Sequence, residues 1–209
     1  LSYRQVNEKV IALASWMKRN GVEKGDRIAV SGKNSPEWGT VFLAGLFAGA
    51  VVCPMDYALH EKELENLLST ANPKFFFIDE EKYKHFSGGT HDFKVYSLNP
   101  KIPETYVYGL QAEPCVDLHV NVEDDLAVIL FTSGTTGTPK GVMLTHKNLV
   151  SDTYIAQTRM YMNETDVFYA LLPIHHAYTM QAVFIESLSV GAEIVYGKSM
   201  AVSRLMKEL

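Results

Sequence analysis

The chain has 209 residues, 47% of them hydrophobic, and a formal net charge of −5. That apolar content is too high for a disordered segment, and the acidic balance argues against a nucleic-acid partner, which calls for a basic face. Two cysteines, Cys53 and Cys115, stand apart with no paired motif, so neither a disulfide framework nor a thiolate metal site organises the fold.

The elements alternate in chain order. Val6, Val10, Leu13 and Met17 recur at helical spacing and stop at Gly21, which predicts an opening amphipathic helix. Residues 27–31 follow as a strand. Ser35 then offers an N-cap with Pro36 at the first helical position and Gly49 as the stop. A short buried strand is expected over 50–53, ending at Pro54. Residues 60–71 read as a charged helix with Leu64, Leu67 and Leu68 inward, and 74–78 as an apolar strand. This alternation predicts an α/β fold with mostly parallel, doubly wound sheets and flanking helices.

Residues 83–124 are the least regular, with weak strands expected near 94–98 and 106–110. The almost wholly apolar run 126–131 reads as a central strand buried on both faces. A strand at 141–144 comes next, then a helix over 146–160 capped by Thr145. A buried strand over 166–172, a helix over 180–188 and a strand over 192–196 complete the series. Residues 38–55 carry no charge for 18 positions, about the length of a membrane span. A helix followed by a strand explains this run better, because it holds three glycines and Pro54 near its end. No transmembrane segment is expected.

The segment 131–142 reads Phe-Thr-Ser-Gly-Thr-Thr-Gly-Thr-Pro-Lys-Gly-Val. It joins the short hydroxyls of Thr132, Ser133, Thr135, Thr136 and Thr138 to a cation, Lys140. Gly134 and Gly137 let backbone N–H groups approach closely. These are the donors a phosphate chain needs. The Walker pattern fails, because Pro139 stands where its second glycine belongs and Gly141 follows Lys140. By composition alone the segment also suits an ordinary turn, and Lys140 a solvated surface position. His175 and His176 end a predicted strand, where histidine pairs also serve purely structural roles. No third ligand stands at zinc-site spacing, and no metal site is expected.

Residues 132–141, Thr-Ser-Gly-Thr-Thr-Gly-Thr-Pro-Lys-Gly, resemble the signature loop of the adenylate-forming superfamily, which holds acyl-CoA synthetases, peptide-synthetase adenylation domains and beetle luciferases. Other blocks carry the same resemblance in the family's order: Val22-Glu23-Lys24-Gly25-Asp26-Arg27, Asn34-Ser35-Pro36-Glu37-Trp38, Ala48-Gly49-Ala50-Val51 with Pro54, and Leu172-Pro173-Ile174-His175-His176. Among its members, the chain resembles AMP-forming long-chain fatty acid–CoA ligases most.

The resemblance implies that a carboxylate attacks the α-phosphorus of ATP, magnesium pyrophosphate leaves, and coenzyme A captures the acyl-adenylate. ATP, Mg2+ and coenzyme A are the implied cofactor and cosubstrates. Thr132, Ser133, Gly134, Thr135, Thr136, Gly137, Thr138, Pro139 and Lys140 would bind the nucleotide, with Lys140 offsetting charge on the departing pyrophosphate. His176 would lie beside the reacting carboxylate and α-phosphate. His175 takes the family's aromatic position and, with Tyr178, would line the acid pocket, although a core aromatic is an equal reading of Tyr178. Residues 174–177 hold no acid to pair with an α-amine, so a medium- or long-chain fatty acid fits better than an amino acid. Where many members carry glycine this chain has Ala177–Thr179, which leaves the pocket shape open.

An aryl or other acid–CoA ligase, or a non-catalytic nucleotide- or partner-binding module of the same fold, remain alternatives. The family's later motifs are not met before Leu209, so residues 1–209 are expected to be the N-terminal part of the large adenylation domain and inactive alone. The sequence opens at Leu1 and ends within an apparent amphipathic helix at 199–209, as a piece of a longer protein would. A cytoplasmic setting is expected. The small-molecule partners are the acid, ATP and coenzyme A; peripheral membrane contact and oligomeric state stay open.

Overall fold

A computed structural model describes residues 1–110, 112–114, 118–132 and 139–197. Cys115, Ser133–Thr138 of the signature segment and the expected helix at 199–209 lie outside the described residues.

The first unit is a six-stranded sheet in the order β4-β3-β1-β2-β5-β6. Its strands are β1 (Arg27–Ser31), β2 (Val51–Met55), β3 (Phe75–Ile78), β4 (Lys94–Ser97), β5 (Leu126–Thr132) and β6 (Lys140–Thr145). All neighbours run parallel except β5 and β6, which pair antiparallel. Helices α1 (Tyr3–Arg19) and α2 (Pro36–Phe47) cover one face, and α3 (Glu61–Ala71) and α4 (Glu80–Ser87) the other. The strand sequences dictate this double cover. In β1, Ile28 and Val30 join the core under α1 and α2, while Ala29 joins the core under α3; Phe75 and Phe77 of β3 oppose Phe76 and Ile78 in the same way.

The second unit is smaller. Helix α5 (His146–Met160) follows β6, strands β7 (Val167–Ala170) and β8 (Glu193–Tyr196) pair parallel, and a π-type turn at Thr179–Ile185 leads into the short α6 (Glu186–Val190). Its buried Ile174, Met180 and Phe184 belong to the same core as Trp38 and Phe42 of α2. Phe184 meets both rings edge-on, with centroids 6.1 Å from Trp38 and 5.8 Å from Phe42.

Caps explain where the helices begin. The Ser35 hydroxyl accepts from Trp38 N at the start of α2, and Thr145 forms a capping box with Asn148 at the start of α5. No described helix is long and apolar enough to cross a membrane.

Several expectations change. Strand β2 runs through Pro54 to Met55, because Pro54 stays in register with Val30 while β2 pairs with β5 at Val52. Residues 80–87 form α4, and 107–109 form a single tight turn instead of a strand. Strand β5 is buried at Ala127 and Val128 but half-buried from Ile129 to Phe131, because only the edge strand β6 flanks it on that side. In β7 only Ala170 is buried. The helix expected over 180–188 is interrupted: its first half is a wide π-type turn around the buried Gln181, which donates to Leu149 O and Thr153 Oγ1.

Candidate functional site

In a doubly wound sheet, ligands bind beyond the C-terminal ends of the strands, where neighbouring connections leave to opposite faces. In this fold that place lies at β1 and β2. The loop after β1 enters α2 on one face, and the loop after β2 enters α3 on the other. The segment linking β7 to the π-type turn crosses this crevice and brings the histidine pair with it.

A cavity of about 720 Å³ opens there. Its walls come from the end of β2 and its loop (Pro54, Met55, Asp56, Leu59), from Leu130, Phe131 and Thr132 of β5, and from Val142 and Leu144 of β6. Pro139, His175, His176 and Ala177 line it as well. Thr132 and Pro139, the described residues of the signature segment on either side of 133–138, therefore share one cavity with the histidine pair; Lys140 does not line it. Lys140 pairs with Thr132 in the β5–β6 ladder, its carbonyl accepting from Thr132 Oγ1 at 3.4 Å, and is exposed. Alternation along β6 puts it on the face of Val142 and Leu144 with respect to Gly141 and Met143.

The two histidines differ. His175 is 7% exposed and neither ring nitrogen has a hydrogen-bond partner. Asp56 Oδ1 stands 3.5 Å from Nε2 without forming a hydrogen bond to it, and accepts from Ala58 N at 2.8 Å. Burial pushes the His175 pKa down to about 4, against the pull of Asp56, so the ring is neutral at physiological pH. His176 is exposed, with its ring centroid 4.3 Å from that of His175. Its backbone is fixed by His176 N donating to Pro173 O at 3.1 Å and by Met180 N donating to His176 O at 2.9 Å.

Tyr178 is 67% exposed and does not line the cavity. Ser133, Gly134, Thr135, Thr136, Gly137 and Thr138 lie outside the described residues. Sequence reasoning passed over Asp56, whose only local signal was its place just past a parallel strand in an Asx turn to Ala58. It also gave Asn34 no role. Among the described residues no group of three or more His, Cys, Asp or Glu is placed to hold a metal, so these residues offer no ligand set of their own for the implied magnesium. Cys53 is buried, and burial pushes its thiol up to about 12, which makes it an inert core residue.

The profile of the AMP-binding enzyme family matches residues 1–209. The chain belongs to that family. It is 30% identical to the 4-coumarate–CoA ligase CCL1 of Humulus lupulus, over 99% of this chain and 40% of the relative. It is 27% identical to a long-chain-fatty-acid–CoA ligase of Bacillus subtilis, over 93% of this chain and 41% of the relative. Its fold superposes on ATP-bound MatB from Rhodopseudomonas palustris with a TM-score of 0.87 at 26% identity, covering 99% of this chain and 42% of that one. The chain thus spans about 40% of the length of the curated relatives it matches.

Proposed function

We propose that this chain carries part of the acid- and nucleotide-binding site of an ATP-dependent, AMP-forming acid–CoA ligase. The observation that supports this reading is the convergence of Thr132, Pro139, His175 and His176 on one cavity at the C-terminal end of a parallel sheet. Residues so distant in sequence share a wall where the fold class binds ligands. The catalytic demand is positioning and charge stabilisation, with little covalent work for protein groups. In this reading the signature segment, 132–140, holds the phosphates of ATP, and Lys140 offsets negative charge on the leaving pyrophosphate. His176, the exposed member of the pair, faces the reacting carboxylate.

The acid carries no charge beyond its carboxylate, and a medium- or long-chain fatty acid is the specific proposal. Met55, Leu59, Leu130, Phe131, Val142 and Leu144 give the cavity an apolar stretch of wall beside Asp56, Glu63 and Asn66, and that stretch suits a hydrocarbon tail. Coenzyme A then takes the acyl group as thioester. Residues 1–209 are, in this proposal, the N-terminal part of the large adenylation domain.

The test is acid-dependent pyrophosphate exchange by the full-length protein, across alkanoic acids of increasing length, cinnamic-type acids and amino acids. Exchange with alkanoic acids is expected. Lys140→Ala removes a contact made to bound ATP and transition state alike, so the KM for ATP rises. His176→Ala removes a group used where charge reorganises, so the adenylation rate falls by roughly 10²-fold. Exchange with cinnamic-type acids alone moves the substrate to the aryl class. No exchange with any acid, or an unchanged rate in His176→Ala, overturns the site assignment.

A further inference from the structure

The turn after β1 holds Asn34, whose side chain makes three hydrogen bonds to the distant segment that presents the histidines. Nδ2 donates to Ala170 O at 2.8 Å and to Leu172 O at 2.9 Å, while Oδ1 accepts from Ile174 N at 2.8 Å. These bonds span both sides of Pro173, and the last lands on the residue before His175. Only a carboxamide offers two donors and an acceptor at this length.

Asn34 is itself held from both sides. Lys33 N donates to Asp79 Oδ2 at 2.7 Å, and Ser35 caps the rigid α2 behind it. The segment it grips needs such support. Residues 171–176 belong to no strand, and Leu172 is 42% exposed. His176 is exposed and gets its place from its own backbone and from the ring of His175.

We propose that Asn34 is a positioning residue that sets His176 for adenylation by fixing the backbone of residues 170–174. The inference rests on the role given above to His176. Asn34 lies outside the cavity lining and needs no contact with substrate. Misplacement of a catalytic group by about 1 Å is enough to cost up to roughly 10²-fold in rate, so the loss of all three bonds should be visible in kcat.

A double-mutant cycle in the full-length protein, read by pyrophosphate exchange, tests this. Asn34→Ala is expected to lower kcat by about 10-fold or more while the KM for ATP stays within about 2-fold. In the His176→Ala background the same substitution should change the rate by less than about 2-fold, because the group it positions is gone. Asn34→Asp is nearly isosteric, keeps the acceptor for Ile174 N and removes both donors; it should behave as Asn34→Ala does, and it serves where the alanine variant does not fold. Circular dichroism at the assay temperature establishes that each variant is folded. An equal loss in both backgrounds assigns Asn34 a merely structural role and overturns the inference while leaving the site reading intact. An unchanged kcat in Asn34→Asp overturns it as well. If His176→Ala alone has no effect, the site reading fails and takes this inference with it.

Discussion

His175 is a titratable side chain buried without a hydrogen bond, which links it to the stability of the whole chain. Its ordinary pKa of 6.5 falls to about 4 on folding, with desolvation as the largest cause. Between those two values the unfolded chain binds the proton and the folded chain does not. Stability therefore rises with pH through this window, and is lost as pH falls from about 6.5 to about 4. His146, which is half-buried and likewise lowered by desolvation, adds to the same trend. His175→Phe keeps a planar ring and deletes the titration. Urea unfolding measured at several pH values should show a flatter dependence in His175→Phe than in the parent; parallel curves would mean that His175 charges freely in the folded state.

At the scale of elements, α2 is the hub on which the two units meet. Gly39 makes the approach close: a Cβ there would stand 2.8 Å from Phe184 Cε2 and 3.2 Å from the Tyr196 hydroxyl. Phe184 is 2% exposed and locked edge-on against Trp38 and Phe42, so its ring has nowhere to go. An alanine in mid-helix gains about 1 kcal/mol over glycine, whereas overpacking a close-packed core costs about 1–3 kcal/mol. Packing wins, and Gly39→Ala is expected to lower stability by up to about 2 kcal/mol. A urea midpoint lower than that of the parent, at unchanged slope, is the expected result; a higher midpoint would show that the contact yields. The π-type turn that carries Phe184 belongs to the same scale. Its Gln181 satisfies Leu149 O and Thr153 Oγ1 of α5, and Glu186, 1% exposed, is held above the usual carboxylate range by burial, which favours its neutral form.

Across the whole molecule, apolar surface concentrates on β6 and α5. Met143 is 68% exposed and Val142 46% on the edge strand, and Val150 and Tyr154, one turn apart on α5, are 67% and 68% exposed. An exposed apolar edge strand is a template for pairing. The 209-residue chain is therefore expected to associate with rising concentration, and Met143→Lys to weaken that association, because a lysine on the edge opposes pairing. Sedimentation velocity over a concentration series decides it. A parent chain that stays monomeric throughout would show that this edge does not pair.

The elements were legible where the signal is local. Helix α5 begins where Thr145 and Asn148 form their capping box, and β1 spans the residues expected of it, 27–31. These patterns act over a few positions, through side-chain periodicity and orphaned N–H groups. Helix α4 was missed because Phe86 is its one buried residue, too little for a periodic pattern. Pro54 misled for a related reason: whether a missing N–H matters depends on the neighbouring strand. The sequence by itself determined the family, through the unbroken segment 132–141, and the alternating order that makes a parallel sheet. Only the tertiary structure decided which loops meet. Asn34 grips Ile174 across 140 positions, and Asp56 faces His175 across the crevice. Such contacts leave no local trace, because a carboxamide or a carboxylate in a turn satisfies the rules of turn chemistry equally well whether its partner is two residues away or in another unit of the fold.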